Sequence, residues 1–207
     1  MSIHVMRGGQ AAGLAQALAE AFRDNPLNCA VLGRDPPGRL RANRAGMELT
    51  LLSAANRAMV WVATSVSDSQ RVAGGLIALP PGGWPLPPPS LMHQFLGLLR
   101  QGFRATHRWG RVYSELADLH PTEPHWYLST LGIRPAQQRQ GLASALLDCW
   151  LEQVDRTRQA AYLETDHSES LAFYLKRGFH VSEERMLFEV PIWRMWRPAK
   201  DPQSESG

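Results

Sequence analysis

The segment Gln138-Arg139-Gln140-Gly141-Leu142-Ala143 carries residue types that suit the binding of a phosphate chain. An apolar run ending at Ile133 predicts a strand before it, and a helix is expected to start with Gly141 and Ala143 in its first turn. Small side chains let the backbone approach a ligand, while unpaired N–H groups and the positive end of the helix dipole converge on one spot. Arg139 adds a positive charge and Gln138 a further donor. The segment predicts an anion site, with an ordinary strand, turn and core helix as the alternative.

The residues that follow predict a long amphipathic helix, which must hold this turn against a sheet. Leu142, Leu146, Trp150 and Val154 recur every four residues and so form one apolar face. Cys149 lies within the same helix beside Trp150. A small packed thiol is the interpretation we favour there over an acyl-carrying nucleophile.

The order of these elements resembles that of the GNAT (Gcn5-related N-acetyltransferase) superfamily. The acetyl-CoA loop of that family has the form Gln/Arg-x-x-Gly-x-Gly/Ala, which Gln138, Gly141 and Ala143 match. The family's next strand and helix correspond to residues 161–165 and 168–177. The resemblance implies an α/β (α+β) fold with a mixed, mostly antiparallel central sheet, flanked by helices and splayed at the strand that binds acetyl-CoA.

A finer resemblance concerns the run from Glu123 to Ile133. This run and the later Leu163-Glu164-Thr165 are similar to puromycin N-acetyltransferase and its small-molecule relatives. The resemblance is strong over residues 121–181 and faint before them. It implies an acyltransferase that moves an acetyl group directly from acetyl-CoA, as co-substrate, to the amine of an antibiotic-type or metabolite-type small molecule.

The family motif also implies which residues contact acetyl-CoA. They are Leu131, Gly132, Ile133, Gln138, Arg139, Gln140, Gly141, Leu142, Ala143, Ser144, Ser170 and Tyr174. Three of them depart from many relatives, which have Gly in place of Arg139, Gly in place of Ala143 and Asn in place of Ser170. Ala143 still fits the family pattern. An Arg in this loop suits an anion, and a Ser still forms a hydrogen bond, although with shorter reach.

Acetyl transfer to an amine requires a base, because an ammonium carries its proton on the attacking lone pair. Glu123 is the first candidate, since the puromycin-type relatives have a matching Glu-Pro pair, and His125 is the second. Asp118 and His120 lie further upstream. A solvated loop charge or a surface imidazole is the alternative for each of them.

The departing thiolate requires a proton donor, and the family motif assigns that role to Tyr174. A phenol with an ordinary pKa of about 10 is a suitable donor. The backbone of Leu131 to Ile133 offers N–H groups to an oxyanion if the strand separates from its neighbour. Glu164, on the next strand, is assigned to orienting an amine or to closing a polar contact.

The first half of the chain predicts two helices and a hairpin. Leu14, Leu18 and Phe22 mark a helix that ends before Asn25-Pro26, and a second helix is expected over about 37–55. The apolar runs 59–64 and 72–79 predict antiparallel strands. These elements precede the motif in the chain and belong to the same fold.

A proline-rich stretch, residues 80–89, interrupts regular structure. A rigid surface loop is favoured over a polyproline ligand for a partner domain. An amphipathic helix is expected over residues 90–103, with Leu91, Phe95, Leu98 and Leu99 along one side, and a further helical segment over residues 113–119. The resemblance implies that this insertion lies near the acceptor pocket and determines substrate choice.

The composition agrees with one compact enzyme. The chain has 207 residues, 44% hydrophobic and 20% charged, so we expect one domain over residues 1–197 and a disordered tail over residues 198–207. Its 22 basic and 19 acidic side chains give a net charge of +3, too even a balance to indicate a nucleic-acid partner. The absence of a signal-like start or a long apolar segment favours a cytoplasmic protein with no membrane partner.

Other classes of protein are less consistent with these residues. Cys29 and Cys149 are isolated from each other and from any His pair, so no metal is expected. A protein or peptide N-acetyltransferase would need an open groove, against which the insertion weighs. A non-catalytic acyl-CoA-binding module has less need of Tyr174. A monomer and a homodimer both stay open.

Overall fold

The computed structural model describes residues 2–33, 35–65, 71–88 and 90–200. The strands are β1 (Ser2–Val5), β2 (Met59–Thr64), β3 (Val72–Leu79), β4 (His125–Ile133), β5 (Ala160–Thr165), β6 (His180–Leu187) and β7 (Val190–Arg197). The helices are α1 (Ala11–Ala21), α2 (Pro26–Leu32), α3 (Pro36–Ala54), α4 (Leu91–Gln101), α5 (Phe103–Asp118), α6 (Leu142–Arg156) and α7 (Ser168–Leu175). The predicted helices and strands are therefore present, together with β1, α2, β6 and β7, for which the sequence analysis made no prediction.

Two predicted segments differ from the structure. The helical segment expected over residues 113–119 belongs to α5, which begins ten positions earlier, at Phe103. Of the expected tail, residues 201–207 lie outside the described residues. Residues 198–200 have no regular structure, and Lys200 Nζ lies 2.7 Å from a carboxylate oxygen of Asp155.

The seven strands form one sheet in the order β1-β2-β3-β4-β5-β7-β6. Among the described strands, β4 and β5 pair in parallel and all other neighbours pair antiparallel. A parallel pair needs a crossover connection, and α6 provides it between β4 and β5. The predicted mixed, mostly antiparallel sheet flanked by helices is confirmed.

The two faces of the sheet carry different helices. On one face, Leu146, Trp150 and Val154 of α6 are fully buried against the sheet, as their four-residue spacing predicts. On the other face, α1 and α3 pack on β2 and β3, with Leu14 and Leu18 fully buried. Each strand therefore directs alternate side chains towards α6 and towards α1.

A glycine lets α1 approach the centre of the sheet. A Cβ added at Gly132 of β4 would lie 2.9 Å from Phe22 and 3.0 Å from Ala21 and Leu18. Such separations are too short for a larger residue, so Gly132 is required for packing. Its side-chain position faces α1, which leaves its backbone alone available to a ligand between the strands.

Strands β4 and β5 separate halfway along β4. Their pairing runs from His125 with Ala160 to Leu128 with Leu163, while β4 continues to Ile133 against β3 alone. Ser129 lies at a register shift, so it is the extra residue of a β-bulge. Beyond it, Leu131 and Ile133 face α6, as Leu128 does before it. A gap therefore opens beside the bulge, as the resemblance implied.

Candidate active site

The predicted phosphate loop connects the end of β4 to the start of α6. A short 3-10 helix, Pro135–Gln137, follows the strand, and Gln138 Nε2 donates a hydrogen bond of 3.0 Å to the carbonyl oxygen of Ile133. Arg139 and Gly141 have φ values of 61° and 79°. Because glycine adopts this left-handed region at no steric cost, Gly141 suits the tight turn into the helix.

The first turn of α6 is suited to an anion. Gly141 occupies the N-cap position and no side chain caps this end, so backbone N–H groups at Leu142, Ala143 and Ser144 lack an intrahelical partner. Arg139 is exposed and, among the described residues, forms no ion pair. The structure brings together a free cation, uncapped N–H groups and the helix dipole, which fits a pyrophosphate.

The other residues expected to bind the donor lie in three places. Leu131 is half-buried and Ile133 buried on the α6 face of β4. Gln138 and Gln140 lie on the exposed loop, whereas Ser170 is half-buried on α7. The strand end, the loop and α7 therefore border one side of the gap.

Tyr174 lies on α7 and belongs to the same buried cluster as Leu128 and Leu142. Its ring packs edge-on against Phe173 and Phe179, with centroid distances of 5.2 and 5.9 Å. Burial raises the pKa of the Tyr174 phenol well above its usual value. The hydroxyl therefore keeps its proton at neutral pH and is available as a donor.

Ion pairs hold α7 in place behind this phenol. Arg177 Nε lies 2.7 Å from Asp148 on α6, and the Arg177 guanidinium stacks on Phe173 at 4.4 Å. Arg197 on β7 pairs with Asp155 at 2.6 Å and also donates to the carbonyl oxygen of Arg177. These contacts link the C-terminal end of α7 to α6 and to the sheet.

Glu164 lies at the opening between the strands. It directly follows Leu163, the last residue of β5 that pairs with β4. Because Leu163 faces α6, strand alternation directs Glu164 to the opposite face. Its Oε1 atom is buried and has no hydrogen-bond partner among the described residues. The side chains of Tyr127 and Tyr162 hydrogen-bond to the same carboxyl group, so Oε1 is the oxygen that is left without a partner.

The environment of Glu164 favours its neutral form. Burial raises the pKa of the carboxyl from 4.5 to about 7, and the hydroxyls of Tyr162 and Tyr127 act in the opposite direction. Arg194 orients Tyr162 by donating a hydrogen bond of 2.9 Å to its hydroxyl, and also contacts Glu183 and the carbonyl oxygen of Leu119. A carboxyl with a pKa near neutrality is suited to acid–base chemistry.

Sequence reasoning assigned Glu164 to orienting an amine or to closing a polar contact, but it did not predict that this residue lies at the gap. The available signal was a carboxylate in the apolar strand Ala160–Thr165, where a charge is costly without a partner. The neighbouring Tyr162 and Tyr127 come from different strands, so their proximity to Glu164 could not be seen from spacing along the chain.

His125 and His120 form a pair on this face of the sheet. His125 Nδ1 lies 2.6 Å from the carbonyl oxygen of Glu123, and the two Nε2 atoms are 3.1 Å apart. A carbonyl can only accept, so Nδ1 of His125 carries the proton and its Nε2 accepts from His120. Burial lowers the pKa of both imidazoles, that of His120 to about 4, so both are neutral at pH 7.

Glu123 is exposed in the loop before β4 and borders a cavity of about 250 Å³ that is also lined by Trp84, His120, His125 and Tyr127. At about 3.3 Å per residue, the four positions from His125 to the bulge at Ser129 span about 13 Å. The structure therefore brings Glu123 and His125 together, but at the end of β4 away from the gap. Their role as bases stays a prediction.

Comparison with known proteins identifies the class of enzyme. The model of the acetyltransferase (GNAT) family matches residues 48–179, more than half of the chain. The chain belongs to this family, and it is an acetyltransferase of the GNAT type. Acetyl-CoA is the acyl donor of the family, and the uncapped first turn of α6 with Arg139 fits its pyrophosphate.

Solved structures share the fold. A histone acetyltransferase HPA2 and related acetyltransferase from Corynebacterium glutamicum is 22% identical, with 98% of each chain covered and a TM-score of 0.75. Arylalkylamine N-acetyltransferase 2 from Aedes aegypti is 14% identical, with 96% of this chain and 99% of that one covered and a TM-score of 0.61. A GNAT acetyltransferase from Brucella melitensis in complex with acetyl-CoA is 16% identical, with 98% and 91% covered and a TM-score of 0.52.

These matches do not determine the subgroup within the family or the class of acceptor substrate. At such identities they support the fold alone, and the resemblance to puromycin N-acetyltransferase stays a prediction. Within the described ranges, no helix has the length and apolar character needed to span a membrane. The same residues contain no group of three or more His, Cys, Asp or Glu arranged to hold a metal ion.

Proposed function

We propose that this enzyme transfers the acetyl group of acetyl-CoA directly to the amine of a small molecule, with Glu164 as the base and Tyr174 as the acid. The observation that carries this proposal is the buried, unpartnered Oε1 of Glu164 beside the gap between β4 and β5. A buried carboxylate oxygen without a partner costs stability, and a catalytic role would account for its presence here.

The two reactive side chains belong to opposite faces of the sheet. Tyr174 belongs to the cluster on the α6 face, together with the phosphate loop, whereas Glu164 faces the side on which α1 packs. The donor would enter from the α6 face and the acceptor from the other, so that both meet in the gap. This arrangement supports direct transfer, without an acyl group on Cys149.

Each side chain then has one proton to move. Glu164, as carboxylate, takes a proton from the ammonium, and the free amine nitrogen forms a bond to the acetyl carbon while the carbon–sulfur bond breaks. Tyr174 gives its phenolic proton to the departing sulfur. The amide product cannot keep the second proton of the amine nitrogen, so this proton passes through solvent to the Tyr174 phenolate and restores the phenol. Backbone N–H groups of β4 beyond Leu128, which have no partner strand on the β5 side, stabilise the oxyanion.

The binding of the donor is proposed for the residues named above. The N–H groups of Leu142 to Ser144 and the guanidinium of Arg139 would hold the pyrophosphate. The backbone of Leu131 to Ile133, together with Ser170, would hold the pantetheine arm. Gly132 would contribute its backbone only, since its side-chain position is occupied by α1.

A small acceptor is supported by the elements that surround Glu164. Tyr127, Tyr162 and Arg194 pack around it, and α4 with α5 adds bulk before β4. A protein or peptide acceptor, which needs an open groove, is the alternative. A non-catalytic acyl-CoA-binding module is the third candidate, and it gives no purpose to the Tyr174 phenol or to the free Oε1 of Glu164.

The test is thiol release from acetyl-CoA against puromycin, aminoglycosides, polyamines, aryl amines, amino acids and short peptides, alongside calorimetric titration of acetyl-CoA. We expect acetyl-CoA binding and turnover with a small amine. Turnover with peptides alone would favour the alternative acceptor class. Binding of acetyl-CoA without turnover by any amine would favour the binding module, and the absence of binding would refute the donor site.

A further inference from the structure

Helix α4 turns its apolar side away from the protein. Six large apolar side chains on α4 and at the start of α5 are between 41% and 83% exposed. They are Leu91, Met92, Phe95, Leu96, Leu99 and Phe103, and we call them the α4 face. The sequence predicts one apolar side for this helix, and a helix of a soluble domain normally buries such a side.

Packing on α3 holds α4 in this orientation. A Cβ added at Gly97 would lie 2.5 Å from Leu49, and Gln101 is buried with its amide close to Gly46. The side of α4 that contacts α3 therefore accommodates Gly97 and Gln101. The large apolar side chains of the α4 face would not fit there. The α4 face is left for another surface to cover.

The area of the α4 face is that of one side of a stable interface. A fully exposed large apolar side chain has roughly 200 Å² of accessible surface. With the exposed fractions of these six side chains, the α4 face has on the order of 700–800 Å² of accessible apolar surface. A standard protein interface buries about 800 Å² on each partner. Leu91, Phe95 and Leu99 also follow one another at four-residue spacing, which forms a ridge for helix packing.

The charges around this face favour a protein surface over an anionic membrane. The face itself has no charged residue, as is typical of the core of a homodimer interface. Arg100, the cation on α4, lies 2.9 Å from Glu48. Arg108 donates to the carbonyl oxygen of Ala30, and the Arg111 guanidinium lies 5.1 Å from the Phe188 ring centre. These three cations are engaged. Arg104, next to Phe103, is exposed and forms no ion pair in the part of the chain that the structure describes, but membrane attraction needs a cluster of free cations.

We propose that the α4 face is the two-fold interface of a homodimer, in which α4 of one protomer packs antiparallel on α4 of a second copy. A two-fold axis makes the same patch meet itself, and an uncharged ridge of Leu, Met and Phe is self-complementary. The dimer would also hold the start of α5, the helix that leads to the histidine pair at the start of β4.

Analytical ultracentrifugation over a range of concentrations tests this proposal. We expect the full chain to sediment at twice its chain mass of 23.1 kDa. The double variant Phe95→Asp and Leu99→Asp should be a monomer, with the dissociation constant raised at least a hundredfold. Met186→Asp is the matched control, because Met186 on β6 is also an exposed apolar residue, and this variant should stay a dimer.

Crosslinking supplies a second measurement that does not depend on a charged substitution. Phe95→Cys, near the middle of the α4 face, should form an intermolecular disulfide under mild oxidation, and Met186→Cys should not. A monomer at every concentration, or a dimer that survives the double variant, would overturn the proposal. Binding of the monomer to phosphatidylglycerol vesicles but not to phosphatidylcholine vesicles would overturn it in favour of a membrane surface.

Discussion

Replacement of Glu164 by Gln should lower activity while raising stability. The amide keeps the shape of the side chain and cannot take a proton from the ammonium. General base catalysis contributes on the order of a hundredfold or more to a rate, so kcat should fall by about that factor. Acetyl-CoA affinity should be nearly unchanged, because Glu164 faces the side of the sheet opposite to the phosphate loop.

The stability change follows from the raised pKa of the carboxyl. The pKa of Glu164 goes from 4.5 when solvated to about 7 when folded. The two pKa values differ by about 2.5, and each pKa unit corresponds to about 1.36 kcal/mol. Burial of the carboxylate therefore lowers the free energy of unfolding by at most about 3 kcal/mol. Between these pH values the folded protein binds more protons than the unfolded one, so stability falls as pH rises from 4.5 to 7 and is constant above. Glu164→Gln should therefore gain up to about 3 kcal/mol at pH 8 and almost nothing at pH 4.5.

Two assays check these opposite signs. Thiol release across pH 5.5 to 9 should show, for the parent enzyme, an acid limb near pH 7 where Glu164 becomes protonated, and the variant should lack this limb. Urea unfolding at pH 4.5 and pH 8 measures the stability difference. Glu123→Gln is the matched comparison, since Glu123 is exposed and lies in the loop before β4.

Three outcomes would contradict the reasoning. If the variant keeps the parent turnover, Glu164 is not the base. If it loses stability together with activity at pH 8, the carboxylate is a structural partner of Tyr127 and Tyr162. If Glu123→Gln removes the acid limb and Glu164→Gln does not, the base is the one favoured by the sequence.

Three further substitutions test other parts of the site. Tyr174→Phe should cut turnover on the order of a hundredfold with acetyl-CoA affinity nearly intact, measured by thiol release and calorimetry; an unchanged rate would remove the acid assignment. Gly141→Glu should abolish acetyl-CoA binding, because its side chain is bulky and carries the same charge as the pyrophosphate. Gly141→Ala introduces only the backbone strain at φ 79° and should keep much of the acetyl-CoA affinity. Equal losses of affinity in the two variants would indicate strain alone. Gly132→Ala should destabilise the fold by about 1–3 kcal/mol in urea unfolding, since its Cβ would press on α1, and an unchanged midpoint would contradict this.

The sequence predicts the fold well where the pattern is local. The four-residue spacing from Leu142 to Val154 predicts α6 and its buried side, and the runs 59–64 and 72–79 coincide with β2 and β3 at both ends. Strand β6 was missed because five of its first six residues, His180 to Arg185, are exposed and alternate poorly. Its place in the sheet depends on pairing with β7, which is a tertiary effect.

The site could be predicted only in part for the same reason. The phosphate loop and Tyr174 lie in contiguous motifs, and they are found on one side of the gap. The surroundings of Glu164 combine Tyr127 of β4, Tyr162 of β5 and Arg194 of β7, which are far apart in sequence. Burial is what raises the pKa of this carboxyl to about 7, and burial depends on how the strands pair.

The bulge and Gly132 together account for the position of the proposed reaction site halfway along β4. If Ser129 were paired as a regular strand residue, with no bulge, side-chain alternation from Leu128 would direct Leu131 and Ile133 towards α1. The α6 face of the gap would then lose its apolar wall. Without glycine at position 132, α1 would be held away from the strand. Helix α1 thus borders the gap on one face of the sheet, and α6 and α7 border it on the other. In the proposed mechanism, donor and acceptor meet at the opening beside the bulge, with the base on one face and the acid on the other.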